Sequence, residues 1–436
     1  MVTSPPPGRS LPGNRWDLLD GVEPGLPPAV SVVVVHYRQQ AELDRTLAAL
    51  RRQTHPAART EVIVVDDGSP EPPRVPAGVR LLGQADDGFR AAAARNLGAA
   101  AATGDVLCFL DADTTPEPGY LARMARLPAL APEAVVVGRR RHATLAGLPA
   151  DAPIDQAGPA AELPEPQWLR DAYRQTRDLL DADDRSYRYV IGAALGCSRW
   201  FFERVGGFAE EFRAYGGEDW EWAYRAWLGG AVLAHVADAV AWHDGPDWAG
   251  RDLDDPARRA RKDAETLLLT DLIPVAGSRG RGLRSAVPDV VIRLGAAPSP
   301  AAAYVCVDSL LAALPAAVVH VPADFKGLFA ADQRVTSTPY GVEQPARVVV
   351  DVPRAVRVDR VADTLREAVA TVGVGSLGTV LLGPAEAPAV RVDSARARAR
   401  RAAWGKDLFE TRIHPDAGPA PLSAAPDLSG YLGGWG

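Results

Sequence analysis

The stretch Val106-Leu107-Cys108-Phe109-Leu110-Asp111-Ala112-Asp113 decides how this chain is read, because an apolar run stops at two carboxylates one residue apart. A run of this kind suits a strand buried on both faces, and side chains at i and i+2 of an extended segment share a face. Asp111 and Asp113 are therefore expected to project together from a strand end. Two carboxylates held that close repel unless a proton or a cation sits between them, and a divalent ion with oxygen ligands is the usual solution. Alone, an Asp-x-Asp is more often a solvated turn, so the stretch needs support from the rest of the chain.

Upstream, Val30-Ser31-Val32-Val33-Val34-Val35 reads as a β-branched strand of a parallel sheet, with His36-Tyr37-Arg38 at its carboxyl end. Leu43, Leu47 and Leu50 recur at helical spacing, and Glu61-Val62-Ile63-Val64-Val65 then forms a second strand ending in Asp66-Asp67-Gly68-Ser69. This is a βαβ unit. Ligands of open α/β sheets bind beyond the carboxyl ends of the strands, which places Tyr37, Asp66, Asp67, Asp111 and Asp113 on one functional edge. Asp87-Gly88-Phe89-Arg90 leads into an alanine-rich helix bearing Arg95-Asn96. Arg95 near the start of that helix is either a phosphate or base contact or a surface arginine on a good helix former.

Downstream, Val135-Val136-Val137-Gly138 reads as a strand followed by Arg139-Arg140-Arg141, and a long Pro- and acid-rich connection from Ala143 to Arg185 carries a helical patch near Trp168 to Leu180. Connections of that length are commonly functional, and this one is taken as an acceptor-side insertion. Gly216-Gly217 permits a tight turn from which Glu218 and Asp219 open a helix, where the dipole favours acids. Glu221 and Arg225 stand four apart, as a surface ion pair would. Trp220, Trp222, Trp227, Trp242 and Trp248 lie close in sequence, and indole faces bind either a core or the C–H face of a sugar. A strand from Ala231 to His235 leads to Ala241-Trp242-His243-Asp244.

In order and spacing, the strand before Tyr37, Asp66-Asp67-Gly68-Ser69, Ala94-Arg95-Asn96-Leu97-Gly98-Ala99, Phe109-Leu110-Asp111-Ala112-Asp113 and Gly217-Glu218-Asp219 resemble family-2 glycosyltransferases of the GT-A fold, over residues 29 to 250. The resemblance implies transfer from a nucleotide-sugar donor. It implies that Asp67 hydrogen-bonds the nucleotide base, and Tyr37, at the neighbouring strand end, and Arg95, from its place near a helix start, join it as candidate nucleotide-sugar contacts. Asp111, Ala112 and Asp113 would hold ribose and a divalent Mn2+ or Mg2+, and Asp219, beside Glu218, would be the general base. Tyr215 to His243 also looks like the C-terminal part of animal galactosyltransferases and of polypeptide N-acetylgalactosaminyltransferases, in which a histidine matching His243 completes the metal shell. The polypeptide enzymes retain configuration and carry Asn at the position of Asp219, so an acid there points to an inverting transferase. Val35 departs from the Thr or Pro usual two residues before the position of Tyr37.

The remainder sets bounds. With 436 residues, 47% hydrophobic and 24% charged, the chain has room for two or three globular domains. The expected organisation is a disordered tail over 1–28, a GT-A (Rossmann-like) α/β domain over 29–275, a smaller accessory α/β domain over 286–405, and a C-terminal tail over 406–436. An amphipathic helix is expected from Pro256 to Leu272. The accessory domain carries no chemical motif, leaving structural support, acceptor binding, a partner enzyme or homo-oligomerisation as its readings. A net charge of -7 argues against nucleic-acid binding. Cys108, Cys197 and Cys306 are odd in number and far apart, and two of them sit in apolar strand-like runs, so neither a disulfide framework nor a zinc cluster is indicated; with neither a signal peptide nor a membrane span expected, the protein reads as cytoplasmic. A carbohydrate or other hydroxyl acceptor and a UDP-sugar donor complete the expectation. The rivals are a sugar-nucleotidyltransferase, which would need a Gly-rich, Lys-bearing loop where His36-Tyr37-Arg38-Gln39 stands, and a non-catalytic nucleotide-sugar-binding or scaffold protein.

Overall fold

The computed structural model of the chain describes residues 4–213, 216–246, 256–338 and 346–433, apart from the side chains of Ala257, Arg258 and Arg261. Tyr215 and Trp248 lie outside the described residues. The chain divides into two compact units, residues 1–227 with 231–269, and residues 228–230 with 270–436.

In the first unit the strands are β1 (Val30–His36), β2 (Thr60–Asp66), β3 (Arg80–Gly83), β4 (Val106–Asp111), β5 (Thr114–Pro116), β6 (Ala134–Ala143), β7 (Glu162–Leu163), β8 (Ala194–Ser198) and β9 (Val232–Asp244). Its helices are α1 (Gln40–Leu50), α2 (Ala91–Ala101), α3 (Tyr120–Leu130), α4 (Ile154–Ala160), α5 (Gln167–Gln175), α6 (Arg199–Val205), α7 (Glu218–Leu228) and α8 (Pro256–Leu272), which runs on past Leu269. The sheet order is β3-β2-β1-β4-β8-β6-β9-β5, with β7 on β6.

β1 pairs in parallel with β2 and β4, and the register aligns His36 with Asp66 and Val35 with Asp111. Three strand ends thus stop level with one another, which is why residues far apart in sequence reach one edge. The valine-rich run of β1 and the apolar run of β4 are buried on both faces, as parallel strands between helices require. β6 continues past the strand end expected at Gly138, through Arg139-Arg140-Arg141 to Ala143, because β9 runs beside it from Val232 to Asp244 with an irregularity between Gly138 and Arg139. β5 is antiparallel to β9 and sets Thr114 opposite His243.

Two tails expected to be loose are structured. Leu11 and Leu19 are buried, and the Asn14 amide donates to the carbonyls of Leu179 (2.6 Å) and Leu233 (2.9 Å) while accepting from the Leu233 N–H. Pro and Gly disfavour helix and strand, yet one buried amide satisfied from both sides anchors such a segment. In the second unit β10 (Val290–Ala296), β11 (Val318–His320), β12 (Val335–Thr336), β13 (Val348–Arg354), β14 (Leu377–Leu382), β15 (Val390–Ser394) and β16 (Glu410–His414) form a sheet in the order β12-β11-β10-β13-β15-β14-β16. β16 falls in the stretch read as a C-terminal tail and pairs in parallel with β14. Helices α9 (Pro300–Ala313), α10 (Ala362–Thr371), α11 (Ala395–Trp404) and α12 (Leu428–Leu432) complete this α/β unit around a core of Val, Leu and Ala.

Candidate active site

The edge where β1, β2 and β4 end holds most of the residues singled out from sequence. His36 donates from Nδ1 to Asp66 Oδ1 (2.8 Å), since its Nε2 accepts the Gln39 N–H (3.1 Å). Ser69 donates to the same carboxylate from its N–H (3.0 Å) and its hydroxyl (2.6 Å). Asp66 is thus a structural bracket for the loop. Asp67 Oδ2 accepts the Arg90 N–H (2.9 Å) and Oδ1 the Gln84 amide (2.5 Å), while burial pushes its carboxyl up and those bonds oppose the shift. Tyr37, 38% exposed, lies open at the strand end with the Arg38 guanidinium 5.0 Å from its ring centre.

Asp111 and Asp113 do not form the symmetric pair expected, because the chain turns at residues 112–113 rather than staying extended. Ala112 is fully buried; its N–H donates to Val35 O (2.9 Å) and its carbonyl accepts the Thr46 hydroxyl (2.8 Å). It is a core residue that fixes the turn, and its side chain has no face toward a ligand. Asp113 Oδ2 accepts from Gln39 Nε2 (3.0 Å) and stands 3.6 Å from His243 Nε2. The ladder of β5 on β9 brings that imidazole to the acid, and the Asp244 N–H bonds the Asp113 carbonyl (2.9 Å). Burial raises the Asp113 carboxyl, and His243 opposes it.

Asp111 turns the other way, to Arg95. That arginine is 4% exposed, so it is neither a surface residue nor an open anion contact. Its Nη2 donates to Asp111 Oδ1 (2.9 Å) and its Nη1 to Glu218 Oε1 (2.7 Å). Burial works against its charge, and the two carboxylates more than offset it. Glu218 Oε2 is buried without a hydrogen-bond partner among the described residues.

Asp219, next along α7, accepts the Gly192 N–H on Oδ2 (3.0 Å) and the Trp220 N–H on Oδ1 (2.8 Å). Burial and then the neighbouring Glu218 push its carboxyl up to about 7. Gly216 and Gly217 precede it at φ +100 and +92, and a Cβ on Gly216 would meet the Glu265 carboxylate at 2.9 Å. Glu265 belongs to α8 and was missed from sequence; it too is pushed up to about 7 by burial and by Asp219 and Glu218. Nothing in an amphipathic helix distinguishes it from the other acids, since only the fold brings it to the glycine turn.

Trp222, Trp227 and Trp242 are core residues at 0–1% exposure, which leaves Trp220 as the half-buried indole beside Asp219. Glu221 and Arg225 form a mostly buried pair (2.7 Å), and Arg225 also donates to the carbonyls of Val205 (2.6 Å) and Gly207 (2.7 Å). Among the described residues no group of three His, Cys, Asp or Glu stands ready to hold a metal, so Asp113 and His243 remain as a facing pair.

The model described as glycosyl transferase family 2 matches residues 31–183, and one described as the N-terminal domain of galactosyltransferase matches residues 181–238, a span that includes Glu218 and Asp219 and stops short of His243. Validoxylamine A glucosyltransferase of Streptomyces hygroscopicus subsp. limoneus is 33% identical over 219 residues, 45% of this chain and 48% of the relative. Chondroitin synthase of Escherichia coli is 28% identical over 309 residues, 65% of this chain and 44% of that one. The chain thus spans about half the length of the curated relatives it matches. A crystal structure of GalNAc-T7 with UDP, GalNAc and Mn2+ aligns over 51% of this chain and 45% of its own at TM-score 0.39 and 19% identity, too distant to carry weight beside the strand order. Family motifs in sequence order, strand ends carrying them to one edge, and matches to both family models together support a family-2 glycosyltransferase of the GT-A fold, with a galactosyltransferase-like segment, in the first unit.

Proposed function

We propose that this unit moves a sugar from a nucleotide-diphosphate donor, a UDP-sugar, to an acceptor hydroxyl by a metal-dependent single displacement that inverts the anomeric carbon. The observation that carries the reading is the way distant segments close on one edge: His243 faces Asp113 at 3.6 Å, while Arg95 joins Asp111 to the helix start that bears Glu218 and Asp219. Asp67 and Tyr37, at the ends of β2 and β1, are the residues proposed for the base, and Asp111 for the ribose. The relatives' names, a validoxylamine A glucosyltransferase and a chondroitin synthase, support a carbohydrate or other hydroxyl-bearing acceptor.

One carboxylate and one imidazole, with no third protein ligand beside them among the described residues, fit a divalent ion that would take its remaining ligands from substrate phosphates and water, and the nitrogen favours Mn2+ over Mg2+. Asp113 and His243 would hold such an ion, which would supply positive charge for the departing diphosphate. Gln39 holds Asp113 in place, and the Thr114–His243 pairing sets the distance. Changing His243 to Ala should weaken Mn2+ activation by about 10- to 100-fold, the usual cost of disturbing a metal ligand's surroundings. An unchanged Mn2+ titration would rule His243 out as a ligand.

On the acceptor side, two N–H groups fix the Asp219 carboxyl, so its orientation does not depend on substrate. A carboxylate at its ordinary value is a poor base near neutrality, and one raised to about 7 is well matched to take a hydroxyl proton. The sign for stability is opposite. A folded value above the unfolded one contributes stability that is fully present below the ordinary carboxylate range and is lost as pH rises through 7. Between pH 5 and 8, kcat/KM should therefore climb by about tenfold per unit and level off near 7, while the Tm of the free protein falls. A flat rate profile across that interval would exclude Asp219 as the titrating base. Metal-dependent release of UDP from a panel of UDP-sugars tests the whole reading, and a protein that binds them without turnover would be a binding module instead.

A further inference from the structure

Beside the proposed acceptor side lies a cavity of about 280 Å3 whose lining includes Arg139, Arg140, Arg170, Arg174, Tyr173 and His235. Its size is near the lower end of the roughly 300–1,000 Å3 typical of small-ligand sites. Glu165 and Asp178 are the carboxylates in its wall, so four guanidiniums face two acids. Arg139 is taken by Glu165 (2.7 Å) and Arg174 by Asp171 (2.8 Å), whereas Arg170 is exposed and makes no ion pair among the described residues.

The cavity is built, not incidental. His235 is 7% exposed; its Nδ1 bonds Asp178 Oδ1 (2.7 Å), and its Nε2 has no hydrogen-bond partner among the described residues. With the Nδ1 proton committed to a carboxylate, Nε2 of the neutral ring is an acceptor waiting for a hydroxyl. Tyr173 stacks on that ring with centroids 3.6 Å apart and planes within 3°. Asp178 is held in place at a cost, because Arg177, Asp178 and Leu179 take φ values of 50, 55 and 69, a left-handed conformation that side chains other than glycine rarely adopt. The cavity is also tied to the site. The Tyr173 hydroxyl donates to Tyr189 O (2.7 Å), three residues before the Gly192 N–H that orients Asp219, and Arg140 is two residues before His142, the ladder partner of His243.

We infer that this cavity is the acceptor subsite and that it takes a sugar bearing an acid group, a carboxylate or a phosphate, with the acid on Arg170 and its neighbouring guanidiniums and a ring hydroxyl donating to His235 Nε2. The inference rests on the transferase reading above and narrows its acceptor class. A planar guanidinium pairs with either acid in two-point fashion, and an acid so bound leaves the rest of the sugar directed along the Tyr189–Gly192 connection toward Asp219.

Calorimetric titration of the full chain, with UDP and Mn2+ present, tests it using glucuronate, glucose 6-phosphate, glucose and glucosamine. At least one of the two acids should bind about tenfold or more tightly than glucose, as expected when a charge-assisted hydrogen bond is added, and glucosamine should be weakest. Whichever acid binds better identifies carboxylate or phosphate as the recognised group. R170Q, at an exposed position that folding tolerates, should erase that preference, and H235N should weaken all the sugars alike. Equal affinities for acid and neutral sugars, no binding of either acid at millimolar concentration, a preference that survives R170Q, or acids that bind only when UDP is omitted would each overturn the inference. The last outcome would assign the cavity to the donor diphosphate. Failure of the transferase reading looks different: no UDP release from any UDP-sugar by the unaltered protein, with the acid preference intact.

Discussion

Replacing Asp219 with Asn should lower transfer by roughly 10²–10⁴-fold, the range lost with a general base, while UDP binding persists. The substitution is nearly isosteric, and the carboxamide oxygen still accepts one of the two N–H groups that now bond Asp219, from Gly192 or from Trp220. The other meets an NH2 group, so a cost of about 1 kcal/mol in stability is expected from one misplaced hydrogen bond. Steady-state transfer with a nucleotide-binding titration and a melting curve separates these effects. Turnover that survives in D219N excludes the base role. A loss of both turnover and UDP binding would mean that the residue serves the fold of the site rather than proton transfer.

Arg95→Met should be the most destabilising single change at this edge, by roughly 3–5 kcal/mol, because removing one partner of a buried charge pair leaves the others unmatched. Here two carboxylates lose their cation together, and Glu218 Oε2 already has no hydrogen-bond partner among the described residues. Urea unfolding of R95M, E218Q and the double variant provides the check. The double variant should recover part of the loss, since a neutral amide no longer needs the guanidinium. If R95M unfolds at the same denaturant concentration as the unaltered protein, the bridge contributes nothing.

The fold was largely legible because its signals are local. Val30 to Val35 and Val106 to Leu110 are runs that only buried strands use, and the turns after them carry polar residues where α/β sheets present ligands. What escaped depends on partners. β16 is exposed and charged, and it is a strand because β14 offers an edge. Arg139 to Arg141 stood outside the strand expected over Val135 to Gly138, since no apolar run marks them, yet β9 pairs with them throughout. Asp113, His243, Asp111 and Asp219 were singled out because each sits in a motif with a spacing. Glu265 and His235 were not, since a lone acid on an amphipathic helix and a lone histidine on a strand acquire meaning only from what the fold sets against them. Arg95 was found and misread: sequence shows a cation near a helix start but cannot show that two carboxylates already claim it.

The antiparallel pairing that seats Thr114 opposite His243 also has a bearing on how such a chain can change over generations. The two proposed metal-binding side chains are separated along the backbone by the whole segment that builds the cavity under α5, yet their spacing is fixed by the hydrogen bonds of β5 on β9 and not by the length of that segment. If the cavity takes the acceptor and the pair holds the metal, as proposed, insertions and deletions between them are free to reshape what the protein accepts without disturbing what it activates. On that reading, substrate range and reaction chemistry are separately inheritable in this scaffold.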